Sequence, residues 1–76
     1  MVVLARNFGK IVRDKRERKG LTIKQVAELS GLSDRGLEMI ELGDSDPKLS
    51  SVLNIAQALD IDLGEVNMCI HEIEAV

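Results

Sequence analysis

With 76 residues, 45% of them hydrophobic and 30% charged, the chain has the size and composition of one small globular domain rather than a disordered segment. No apolar run approaches the ~18 residues of a membrane span, and the N-terminal segment lacks a signal peptide's apolar core and cleavage site, so a cytoplasmic location is expected. The net charge of −3 divides unevenly: residues 1–20 hold seven bases against two acids, and the rest holds three bases against eleven acids. That asymmetry suits a chain with one face for a polyanion and another that avoids it.

The punctuation along the chain is helical. Leu4, Phe8, Ile11, Val12 and Lys15 fall on one side of a first helix, with Arg6, Lys10, Arg13 and Glu17 on the other. Lys15 sits in the apolar stripe, where its stem can pack while its amine reaches water. Gly20 ends this helix. Thr22 and Gln25, three apart, form a capping box that opens a second helix, with Val26, Ala27 and Leu29 inward and Ser30-Gly31 at its end. Ser33 caps a third helix of about nine residues, with Leu37 and Ile40 inward and Gly43 as its stop.

A polar loop, "DSDPK", follows. Ser50 or Ser51 then opens a fourth helix carrying Val52, Leu53, Ile55, Ala56 and Leu59. Asp62 caps a last one, in which Leu63, Val66, Cys69, Ile70, Ile73 and Val76 share an arc of about 140°. The expectation is all-α: five short helices around one core in a single domain, 1–76, with the core at about 6–66 and the last helix at 62–76. The second and third helices, joined by "SGLS", make a helix-turn-helix.

"KRERKGLTIKQVAELSGLS" followed by "IELGDSDPKLSSVLNIAQALDIDLGEV" resembles the Cro/cI-like (XRE) helix-turn-helix domain of phage repressors and many bacterial regulators. The likeness runs from about Phe8 to Val66. Its specificity lies in the order and spacing of "KGLT", "VAELSGLS", "IELG" and the "P-x-L-x-x-V-L-x-I-A-x-A-L" pattern. It implies a lambda-repressor-like fold with an amphipathic C-terminal helix, a sequence-specific transcriptional regulator, and double-stranded DNA as partner.

The resemblance also implies residue roles. Arg16 and Glu41 match a family salt bridge between the first and third helices. The third helix matches the recognition helix, which assigns base reading to Asp34, Arg35, Glu38 and Met39. Arg35 can bond guanine O6 and N7 together, Asp34 and Glu38 can accept from cytosine N4 or repel phosphate in wrong registers, and Met39 can touch a thymine methyl. Thr22, Lys24, Ser33, Gly36 and Lys48 fall to the DNA backbone, with Lys10 and Arg13 as further cations. Asp34 has a simpler reading, as an acid favouring the helix dipole. Gly36 costs roughly 1 kcal/mol of helix stability against Ala, which fits close approach of DNA or of another helix, or a site no longer used.

Three positions depart from the family pattern. Ile23 stands where Gln often holds phosphate, Asp44-Ser45-Asp46 replaces a basic loop, and Leu42 replaces Arg or Asn. An alternative reading follows: a protein-interaction module that keeps the fold and offers its acidic third helix to a partner protein. The "DSD" run lacks the glycine and glutamate of a calcium-binding loop. One cysteine and one histidine, Cys69 and His71, offer neither a disulfide nor a metal or catalytic constellation. The expected chain is non-enzymatic and needs no cofactor or metal.

Small domains without disulfides or metals often complete their core by association. The stripe Val66, Cys69, Ile70, Ile73 and Val76 is read as a homodimer contact, with Met1 to Leu4 joining it; the alternative is that it folds back on its own core. A two-fold dimer presents two recognition helices to palindromic half-sites about one turn (~34 Å) apart. Phage or plasmid repressors, restriction-modification controllers and antitoxins share this plan, so a toxin or other protein partner stays open.

Overall fold

The four helices among the described residues end in the same way. The computed structural model describes the backbone of residues 2–62, 64 and 65, and their side chains from Asn7 onward. The helices are α1 (Val2–Arg18), α2 (Ile23–Ser30), α3 (Asp34–Leu42) and α4 (Leu49–Leu59). Past each end, an N–H reaches back to a carbonyl five residues earlier: Leu21 to Arg16, Leu32 to Ala27, Asp44 to Met39 and Ile61 to Ala56, at 2.8 to 3.1 Å. These closures need a left-handed residue. Gly31 (φ 70) supplies it in the turn between α2 and α3, and Asp60 (φ 54) does so after α4. In three of the four, the closing residue is apolar: Ile61 is buried, and Leu21 and Leu32 pack against the core.

The starts are capped by side chains. Thr22 Oγ1 accepts from the Gln25 N–H at 3.1 Å, and Gln25 Oε1 accepts from the Thr22 N–H at 2.8 Å. Ser33 Oγ accepts from the Gly36 N–H at 3.0 Å. The fourth helix differs from expectation. It begins at Leu49, with Lys48 at its N-cap and no side-chain cap, so Ser50 and Ser51 lie inside its first turn. The Val52 N–H bonds the Lys48 carbonyl at 3.0 Å, a bond that a cap at either serine leaves unmade.

Phe8 and Val12 of α1, Val26 and Ala27 of α2, Leu37 and Ile40 of α3, and Ile55, Ala56 and Leu59 of α4 fill the core with Ile61. Two leucines expected with the apolar faces do not join it: Leu29 is 63% and Leu53 47% exposed. The inward stripes follow the i, i+3, i+4, i+7 rule. In α2 the rule selects Ile23, Val26, Ala27 and Ser30; in α4 it selects Val52, Ile55, Ala56 and Leu59. Leu29 and Leu53 stand beside those stripes, and Ser30 takes an inward position without a hydrogen-bond partner for its hydroxyl among the described residues.

α1 packs closely on α3 because Gly9 is buried at the crossing. A Cβ there would run into the carbonyl oxygens of Ile40 and Glu41. Among the described residues Gly36 has no such neighbour: its own capping hydroxyl, Ser33 Oγ, lies 3.1 Å from a Cβ position and nothing else comes as near. The helix–helix explanation of Gly36 therefore fails, and Gly9 is the packing glycine.

After α4, Asp62 begins another capped turn. Its Oδ1 accepts from the Gly64 N–H at 3.0 Å, and Glu65 Oε2 accepts from the Asp62 N–H at 3.0 Å. The body of the expected fifth helix, and with it Val66, Cys69, Ile70, Ile73 and Val76, lies outside the described residues.

Candidate nucleic-acid interface

The outer side of α3 is defined by what holds its inner side. Leu37 and Ile40 are buried, Gly9 lets α1 close against its last turn, and Arg16 locks that turn by a two-pronged contact with Glu41. The Nε–Oε2 and Nη2–Oε1 distances are 2.7 and 3.0 Å, and the two side chains are only 14% and 6% exposed. This hydrogen-bonded carboxylate holds the Arg16 guanidinium above its ordinary pKa. Glu41 is thus committed to structure and withdrawn from the acids of the outer face.

On that face Asp34, Arg35 and Glu38 are exposed and Met39 is half-buried. Ser33 and Thr22 are exposed at the starts of α3 and α2, where their oxygens already accept capping bonds. The capping box also occupies the Thr22 N–H. At the start of α2 this leaves the first-turn N–H groups of Ile23 and Lys24 for an anion. Lys24 is exposed beside them, and Lys48 is exposed at the start of α4.

The structure brings the start of α2 and the outer side of α3 to one groove of about 270 Å³, lined by Arg13, Arg16, Ile23, Glu38, Glu41 and Leu42. Two of the three departures from the family pattern, Ile23 and Leu42, meet here. Leu42 is 66% exposed, so the groove has an apolar lip beside Glu38.

The basic stretch of α1 is less open than its sequence suggests. Arg13 pairs with Glu17 at 3.5 Å, Arg18 with Asp14 at 3.1 Å, Lys15 with Glu65 at 3.4 Å and Lys19 with Asp60 at 2.9 Å. The Lys19 ammonium holds the Asp60 carboxyl below its ordinary value. Arg16 is taken by Glu41. Among the described side chains, Lys10, Lys24, Arg35 and Lys48 carry no ion pair. One such cation comes from each of α1, α2 and α3, and one stands at the start of α4. No cluster of acidic, His or Cys side chains among the described residues is arranged to hold a metal, and no helix among them is long and apolar enough to cross a membrane.

Residues 12–66 match the helix-turn-helix family. A transcriptional repressor of the HTH type, RghR of Bacillus subtilis (strain 168), is 39% identical over 56 residues, 72% of this chain. The match spans 42% of that repressor's length. The crystal structure of the restriction-modification controller protein C.AhdI from Aeromonas hydrophila superposes with a TM-score of 0.73 at 35% identity. That likeness covers 86% of this chain and 94% of the controller chain.

Proposed function

Because the chain belongs to the helix-turn-helix family, we propose that it is a DNA-binding transcriptional regulator that places α3 in the major groove and acts as a homodimer on a palindromic operator. The observation that carries this reading is Arg35. It stands exposed and without an ion pair in the first turn of a helix whose inner side is fixed by Leu37, Ile40 and the Arg16–Glu41 bridge. A guanidinium on a rigid mount is the group best suited to guanine O6 and N7. Asp34, Glu38 and Met39 flank it as base-reading residues. Thr22, Lys24, Ser33, Gly36 and Lys48 meet the backbone. The acids discriminate: an accepted cytosine amine satisfies Glu38 or Asp34, while a misplaced phosphate is repelled. The stripe Val66, Cys69, Ile70, Ile73 and Val76 supplies contact between protomers, and two heads joined in this way gain affinity by effective concentration.

The likeness to a transcriptional repressor and to a restriction-modification controller protein supports a transcriptional regulator. A second reading has its own observation. Exposed Leu42 beside Ile23, next to Glu38, is a surface suited to a protein as well as to DNA. Selection from a random duplex pool at about 100 mM salt decides between them. An enriched palindrome with half-sites one turn apart, whose guanine preference disappears in Arg35→Ala, is the expected result. No enrichment from folded, dimeric protein overturns the DNA reading in favour of a protein partner for α3.

A further inference from the structure

The outer side of α3 continues past the residues assigned to base reading. Leu42 lies about 20° from Arg35 around the helix and about 10 Å further along it. Glu38 and Met39 stand between them, each within one turn of both. Arg35, Glu38, Met39 and Leu42 therefore form one stripe, opposite the inner side made by Leu37, Ile40 and Glu41. Along it Arg35 and Glu38 are exposed, Met39 is half-buried, and Leu42 is 66% exposed. Leu42 also shares the groove at the start of α2 with Ile23, close to Lys24. It thus stands between the base-reading stripe and the end of α2 that offers N–H groups to the DNA backbone.

Neither Leu42 nor Ile23 has a side-chain donor or acceptor, so neither holds a phosphate or bonds a base edge. Glu38, in the same groove, repels a phosphate. An apolar side chain at this place gains by covering an apolar group. In the major groove the apolar group on a base is the C5-methyl of thymine. It stands on the side of the base nearest its own strand's backbone, which is where Leu42 sits relative to Arg35. The other exposed leucines, Leu29, Leu49 and Leu53, belong to α2 and α4 and have no place on this stripe.

We propose that Leu42 is a further specificity-determining residue, covering a thymine C5-methyl about two to three base pairs from the guanine read by Arg35. Ile23 closes the apolar lip behind it. The inference rests on the DNA-binding reading above and adds a preferred base to that site. The separation follows from the ~10 Å between the two side chains along α3, set against base pairs about 3.4 Å apart on the duplex axis and wider apart along the groove. A cytosine at that place has no methyl and leaves the leucine facing water.

Two measurements on the full chain test this. Selection from random duplexes is expected to give half-sites with a thymine at that distance from the guanine, and Leu42→Ala is expected to select the guanine without the thymine. Fluorescence anisotropy then compares this operator with one carrying deoxyuridine in place of the thymine, which removes the methyl and keeps every hydrogen bond. The wild type is expected to bind the deoxyuridine operator about fourfold more weakly per half-site, and Leu42→Ala to bind both alike. Leu42 lies outside the core, so its truncation leaves the fold intact, which circular dichroism melting verifies. Half-sites without that thymine, a wild type indifferent to the methyl, or a Leu42→Ala chain that still responds to it each overturn the role of Leu42 and leave the regulator standing. Folded wild-type protein that enriches no sequence overturns both.

Discussion

Arg16 on α1 holds Glu41 on α3 through two hydrogen bonds, and its remaining Nη1 donates to the Leu21 carbonyl at 3.1 Å. One guanidinium thus ties α1, the last turn of α3 and the segment leading into α2. Arg16→Met leaves a Glu41 carboxylate that is 6% exposed without its partner, and is expected to cost about 3 kcal/mol in urea unfolding. Arg16→Lys restores only part, because an ammonium cannot make the forked contact. A loss under about 1 kcal/mol for Arg16→Met would place the pair with ordinary surface ion pairs and remove it as the mount of α3.

The two helix-interior glycines separate packing from function. Gly9→Ala gains helix propensity of about 1 kcal/mol but drives a methyl into the Ile40 and Glu41 carbonyls. The expected net effect is a destabilisation of about 1–3 kcal/mol, as for an overpacked core. Gly36→Ala meets only Ser33 Oγ and should unfold within about 1 kcal/mol of wild type. If the backbone at Gly36 approaches phosphate, the same variant binds operator more weakly at unchanged stability. Equal denaturation curves for Gly9→Ala and wild type contradict the close α1–α3 crossing.

Ser30 is 3% exposed and, among the described residues, its hydroxyl has no hydrogen-bond partner. Folding therefore strips water from this group without replacement, a cost of about 1–3 kcal/mol. Ser30→Ala should raise stability by about 1 kcal/mol, which in a domain of this size moves the melting temperature up by roughly 4–8 °C. A lower melting temperature in Ser30→Ala would mean that the hydroxyl is satisfied in solution.

How far these features could be read in advance depended on distance along the chain. The caps at Thr22–Gln25, Ser33 and Asp62, and the stop at Gly31, involve groups within a few residues of one another, and local chemistry suffices to place them. Leu29 and Leu53 have apolar identity without the spacing: strict i, i+3, i+4, i+7 places Ser30 rather than Leu29 inward in α2, and in α4 keeps Val52, Ile55, Ala56 and Leu59 but not Leu53. Gly9 could not be recognised, since its reason is the carbonyl of Ile40 on another helix. The pairing of Lys15 and Lys19 was hidden for the same reason: Glu65 and Asp60 come from the far end of the described chain. The Arg16–Glu41 relationship was accessible only through family resemblance, which supplies the long-range information that periodicity lacks.

That pairing makes the salt dependence of DNA binding specific to individual cations. Each phosphate neutralised contributes about 0.9 to the slope of log K against log salt. Lys24 carries no ion pair and stands at the start of α2, so it can take a phosphate without giving up another contact. Arg18 is engaged by Asp14 at 3.1 Å, and Lys19 by Asp60 at 2.9 Å. A phosphate there has to compete with a carboxylate already in place. Lys24→Ala is therefore expected to reduce the slope by about 1 per protomer, or about 2 in a dimer, across all DNA sequences. Arg18→Ala should leave it unchanged, and Arg35→Ala should lower the preference for operator over random DNA more than it changes the slope. Fluorescence anisotropy with labelled operator and random duplexes across a salt series reads all three. An Arg18→Ala slope reduced as much as that of Lys24→Ala means that the α1 ion pairs open on binding, and that the basic stretch of α1 is part of the DNA footprint after all.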